Sequence, residues 1–107
     1  MEVESVHPRE FVAALERKEL EDSLILDVRE QHEWNYYHLD EAVLVPMNQL
    51  PGRLGELPDD KPIYVVCAHG VRSYMVCEFM KERGFEQVIN VDGGMAAIGM
   101  LRGFAYD

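Results

Sequence analysis

Cys67 closes the apolar run Pro62-Ile63-Tyr64-Val65-Val66 and opens Ala68-His69-Gly70-Val71-Arg72-Ser73, beyond which a helical pattern begins. A thiol therefore stands at a strand-to-helix turn. A loop wound ahead of a helix start turns several backbone N–H groups inward, and the helix dipole adds partial positive charge, so an anion placed there is stabilised. A thiolate is one such anion. An ordinary cysteine titrates near ~8.5, and a helix N-terminus with a neighbouring cation pulls it down, raising the nucleophilic fraction at neutral pH. Arg72 is a cation carried on the loop itself, and Gly70 supplies the residue that a curled loop needs for a positive φ. The plainer reading makes Cys67 a small buried hydrophobe at a strand end. The glycine, arginine and serine that follow at tight spacing favour the nucleophile.

The elements that must position this loop alternate between short apolar runs and longer amphipathic segments, the pattern of a parallel sheet covered by helices. Val3 to Val6 reads as a first short strand. Pro8 then starts a helix whose apolar face is Phe11, Val12 and Leu15, with proline at the position where its missing donor costs nothing. Leu24 to Val28 is a buried strand, Glu30 to Tyr36 a short helical turn, and Ala42 to Val45 a strand stopped by Pro46. Asn48 to Leu57 has leucines at helical spacing interrupted by Pro51-Gly52, which predicts a short or kinked helix. Ile63 to Cys67 is the strand that delivers the thiol. Ser73 to Arg83 is a helix ended by Gly84, Gln87 to Val91 the last strand, and Asp92-Gly93-Gly94 a turn into a C-terminal helix weakened by Gly99. Ligands of such sheets bind where strand carboxyl ends meet helix N-termini. Asp27-Val28-Arg29, Cys67 to Ser73 and Asp92-Gly93-Gly94 all fall on that edge, so three segments nominate one site.

Composition narrows the function classes. At 107 residues the chain is expected to be one domain spanning 1–107. The formal charge of −10 argues against nucleic-acid binding, which draws its affinity from clustered Lys and Arg. The same charge repels a small anionic substrate at long range, so the loop must overcome it locally. No stretch approaches the ~20 apolar residues of a membrane span, and the N-terminus lacks the basic start and apolar core of a signal peptide, which makes the cytoplasm the expected location. Two cysteines and the dispersed His7, His32, His38 and His69 give no metal-ligand spacing, so neither a metal nor a cofactor is expected.

The chain resembles a single-domain rhodanese, a sulfurtransferase. The resemblance rests on Leu26-Asp27-Val28-Arg29-Glu30 followed by Glu33-Trp34, then His38-Leu39 leading to Ala42 and Pro46, then Cys67 to Ser73, and lastly Asp92-Gly93-Gly94-Met95, in the family's order from about Leu24 to Phe104. It implies a rhodanese-like three-layer α/β sandwich, a five-stranded, mainly parallel sheet with helices on both faces. It also implies a ping-pong reaction in which Cys67 takes a sulfane sulfur from a donor such as thiosulfate and passes it to cyanide or a thiol, including a thiol borne by an acceptor protein. The persulfide splits one difficult transfer into two easier ones, and backbone N–H groups from Ala68 to Ser73 would hold its charge. The binding loop is then Ala68, His69, Gly70, Val71, Arg72 and Ser73. The chain departs from the family at Ile98, where tryptophan is usual, at Tyr37, where glycine is common, and at Asp40-Glu41, which replaces a small turn.

Several of these residues carry more than one reading. Arg72 either pairs with a donor's sulfonate or forms a salt bridge to a carboxylate such as Asp27 or Glu33. His69 either orients substrate or is a partly exposed loop residue without catalytic weight. Asp27, Arg29 and Glu33 support the site: a carboxylate at a strand end accepts hydrogen bonds from loop amides, and Arg29 and Glu33 stand at i,i+4 spacing. Trp34, Tyr36 and Tyr37 are expected to cover an edge of the core. Cys77 has core spacing with Val76 and Met80, which makes it buried and unreactive. A phosphatase or arsenate reductase also uses Cys and Arg around an anion loop, but those enzymes place a longer interval between the two than the four residues found here. A non-catalytic, partner-binding or redox-sensing module is the rival from another class. The enzymatic reading requires inward amides and a thiol that solvent can reach.

Overall fold

The computed structural model describes residues 2–106. In chain order the elements are β1 (Glu4–Val6), α1 (Pro8–Glu16), β2 (Leu24–Asp27), α2 (Gln31–Tyr36), β3 (Ala42–Leu44), β4 (Ile63–Val66), α3 (Val71–Glu82), β5 (Val88–Val91) and α4 (Gly94–Leu101). The strands form one sheet in the order β1-β5-β4-β2-β3, and every neighbouring pair is parallel. The segment predicted as a short or kinked helix forms two 3-10 turns instead, Leu50–Gly52 and Leu54–Glu56, because Pro51 and Gly52 interrupt α-helical bonding.

Period-two alternation along the strands feeds two cores. Val65 and Cys67 face the layer of α3, where they meet Val76, Cys77 and Met80, while Val66 faces α1 and α4, with Phe11, Val12, Met95 and Ile98. Ile98, where the family has tryptophan, is fully buried in this second layer. His7 caps α1, its Nδ1 accepting from the Arg9 N–H at 3.1 Å.

One expectation about helix limits needs correction. The α3 helix begins at Val71 rather than Ser73, because Gly70, at φ 96°, turns the chain sharply enough for helical bonding to start at once. The α4 helix runs through Gly99 without a break, and a Cβ there would approach the Phe104 carbonyl at 3.2 Å and the Tyr37 ring at 3.5 Å. Gly99 thus leaves room for the ring of Tyr37, stacked on Phe104 with centroids 4.2 Å apart. Trp34 stacks on His38 at 4.0 Å, and Tyr37 is partly buried. Tyr36, expected to cover the core, is 58% exposed and meets Phe104 and Tyr106 by its edge.

Candidate active site

The carboxyl ends of β2, β4 and β5 carry the three segments that the sequence nominates. Gly70 is the N-cap of α3 and has no side chain with which to cap it. The sulfur of Cys67 takes that place. Its Sγ accepts from the Gly70 N–H at 3.1 Å and from the Ser73 N–H at 3.3 Å, and the Ser73 hydroxyl lies 3.3 Å away. Burial pushes the thiol up, but the Ser73 hydroxyl and the amides of Ser73, His69 and Gly70 outweigh it, so the pKa falls below that of an ordinary cysteine.

The loop keeps this polarity because another element holds its carbonyls outward. The Met95 N–H donates to the Cys67 carbonyl at 2.7 Å and the Ala96 N–H to that of Ala68 at 2.9 Å, so the open N-terminus of α4 takes up the loop's acceptors. This approach requires Gly94, at φ 57°, where a Cβ would collide with the Cys67 carbonyl oxygen and stand 2.7 Å from the Ala68 carbonyl carbon. The Asp92-Gly93-Gly94 turn therefore braces the loop from behind.

Of the two readings of Arg72, the geometry gives the salt bridge. Its guanidinium grips Glu33 in a fork, with both N···O distances at 2.8 Å, and the arginine beside it holds the Glu33 carboxyl down at about 2. The predicted i,i+4 pairing of Arg29 with Glu33 does not form through the carboxylate. Arg29 precedes α2, so the pair is not at helical spacing, and its guanidinium is taken by Asp27, with Nη2 2.7 Å from Oδ2 and both side chains fully buried. Arg29 reaches Glu33 only at its carbonyl, 3.2 Å away, and also donates to the Tyr37 carbonyl and the Tyr106 hydroxyl, which spends every guanidinium donor. Asp27 accepts from the Arg29 amide at 3.1 Å rather than from the Cys67 loop. Arg29 therefore ties the end of β2 to α2 and to the C-terminal tail.

His69 is exposed, and its ring meets that of Tyr106 edge-on at 6.2 Å. Cys77 is fully buried, and burial pushes its thiol up to about 12. One expectation fails. Cys67 is only 1% exposed, so the thiol is not open to solvent in this form. The reason is the same capping geometry: Sγ points inward to its amide donors.

Two residues escaped the sequence reading. Asn90 is 2% exposed and its Oδ1 accepts from the Ser73 hydroxyl at 2.5 Å; a polar residue inside the four-residue buried strand Val88–Val91 was the available signal. Tyr106 abuts the loop from the end of the chain, and nothing in its sequence neighbourhood marks it.

A parallel α/β sheet with a thiol at the β4–α3 crook, ringed by main-chain donors, defines a class, and the comparisons with known proteins agree. A Rhodanese-like domain model matches residues 7–100. A sulfurtransferase from Allochromatium vinosum is 34% identical over 77 residues, covering 72% of either chain. A thiosulfate sulfurtransferase of Shewanella oneidensis is 34% identical over 73 residues, covering 68% of this chain and 72% of that protein. Among solved structures, a rhodanese-related protein from Thermoplasma volcanium superposes with a TM-score of 0.81 at 26% identity, covering 94% of each chain. The chain belongs to the rhodanese-like domain family, and its relatives include sulfurtransferases. Among the described residues, no helix is long and apolar enough to cross a membrane.

Proposed function

We propose that this protein is a sulfurtransferase that carries sulfane sulfur as a persulfide on Cys67, with thiosulfate or a related small sulfur anion as donor. The observation that carries the reading is the convergence of the Gly70 and Ser73 amides on Sγ. In the first half-reaction the Cys67 thiolate attacks the outer sulfur of thiosulfate. The new Cys S–S bond forms as the donor's S–S bond breaks, and sulfite leaves with the electron pair. In the second, cyanide or an acceptor thiolate attacks the terminal sulfur and Cys67 leaves as thiolate, so the enzyme ends unchanged. The loop amides stabilise the anion throughout without a dedicated lysine. Exposed Val71, Tyr74 and Met75 beside the loop suit an acceptor thiol borne on a protein, and a free thiol of this kind suits a reducing compartment such as the cytoplasm.

The burial of Cys67 supports the second reading, a non-catalytic partner-binding module, and it sets a condition on the first: the loop rim must open to admit the donor. Intact mass after incubation with thiosulfate separates them. A gain of one sulfur on Cys67, removed by cyanide with formation of thiocyanate, is the expected result. An unchanged mass under conditions that load a known sulfurtransferase leaves the binding module standing. Phosphate release from an aryl phosphate without thiocyanate formation would instead point to a phosphatase.

A further inference from the structure

Ser73 has a single hydroxyl proton, and two groups compete for it. On one side Asn90 Oδ1 lies 2.5 Å from Ser73 Oγ, close enough for a strong bond in which serine donates. On the other, Cys67 Sγ lies 3.3 Å from the same oxygen. When the sulfur is a thiol both contacts are satisfied, because S–H donates to Oγ and O–H donates to Oδ1. When the sulfur is a thiolate it has no proton to give, and beyond the Ser73 N–H that already reaches it, the Ser73 hydroxyl can help it only by turning its own proton away from Asn90.

Asn90 has a second way out in principle, which is to flip its amide so that Nδ2 donates to Ser73 Oγ. Asp92 opposes this. In the present orientation Nδ2 faces Asp92 Oδ1 at 3.4 Å, and a flip would set the amide oxygen against that carboxylate. Asn90 is buried in β5, beside Val65 of β4 in register, so it cannot move aside without disturbing the sheet.

We infer that Asn90 is a positioning residue: it holds the Ser73 hydroxyl as an acceptor for the Cys67 thiol and must release that proton before the hydroxyl can serve the thiolate. Asp92, Asn90, Ser73 and Cys67 thus form a directed hydrogen-bond relay behind the nucleophile. The charged and titratable groups around Cys67 include His69 on the same loop, its ring against Tyr106. Arg72 is paired with Glu33, Cys77 is held neutral by burial, and Arg29 and Asp27 close on one another. The relay's bearing on catalysis rests on Cys67 as the nucleophile, whereas its test reads ionisation alone.

The experiment follows the Cys67 Cβ chemical shift against pH, which needs no reagent access to the thiol. Asn90→Leu removes the competing acceptor, and the midpoint should fall by about one pH unit, the worth of one hydrogen bond to an anion. Ser73→Ala should raise the midpoint instead. Because Asn90 acts only through Ser73, adding Asn90→Leu to Ser73→Ala should change nothing further. An unchanged or raised midpoint in Asn90→Leu, or an equal fall in the Ser73→Ala background, overturns the inference. Should the leucine variant fail to fold, the wild-type protein still decides. The side-chain amide resonances of Asn90 should move with the Cys67 midpoint, and that movement should vanish in Ser73→Ala. Resonances indifferent to Cys67 ionisation, or still following it without the serine hydroxyl, overturn it as well.

Discussion

Two cysteines of one chain end in opposite chemical states because of what surrounds them. Cys67 meets amide donors and is pulled down; Cys77 meets only apolar packing and is pushed up to about 12. Haloacetamide labelling followed by peptide mass analysis should therefore modify Cys67 alone at neutral pH, with a rate that rises through a midpoint below the ordinary thiol value of ~8.5. Labelling of Cys77 in the folded protein would contradict this. Cys67→Ser should abolish sulfur transfer with the domain still folded, since a serine oxygen can accept from the same amides. Cys77→Ser should retain most transfer at a stability cost of about 1–3 kcal/mol for the hydroxyl placed in the core. Equal loss of transfer in both would remove Cys67 from its role.

At the scale of elements, the loop is shaped by a helix that never touches the sulfur. The N-terminus of α4 holds the carbonyls of Cys67 and Ala68, and Gly94 lets it come close enough to do so. Gly94→Ala should lower stability by about 3 kcal/mol or more, measured by denaturant unfolding, and should abolish transfer. Gly84 offers a control. It shares a positive φ, at 96°, but a Cβ there would meet nothing within 4 Å, so Gly84→Ala should cost only about 1 kcal/mol and leave transfer intact. The succession of strands and helices along the chain and the crook at Cys67 were legible in the sequence because they follow from periodicity and from turn residues, whereas the order of strands across the sheet was not. Nor was the bracing role of Gly94. Sequence marks Asp92-Gly93-Gly94 as a turn, but that its far side presses on another loop is a fact of tertiary packing. Arg29 and Glu33 show the same limit: their spacing suggested a pair, and the start of α2 two residues after Arg29 redirected one to Asp27 and the other to Arg72.

For the whole molecule, the end of the chain reaches back to the site. The Tyr106 hydroxyl accepts from Arg29 Nη1 at 2.9 Å and its ring meets His69, so the tail packs on the rim of a loop whose thiol is sealed. Tyr106→Ala should loosen that rim and raise the haloacetamide labelling rate of Cys67 several-fold at fixed pH; an unchanged rate would show that access is governed elsewhere. Such closure was beyond sequence reading, since Tyr106 is 77 positions from Arg29.

The substitution of sulfur for a helix cap has one more effect. The first turn of α3 is anchored by an atom whose charge depends on its chemical history, so heat resistance and readiness to react are the same property seen twice. Cys67 titrates lower in the fold than in the unfolded chain, so its anionic contribution is whole above ~8.5 and drains away as acid carries the pH down through the folded value. Whatever neutralises that atom loosens the scaffold that made it reactive, and a melting curve becomes a gauge of the nucleophile.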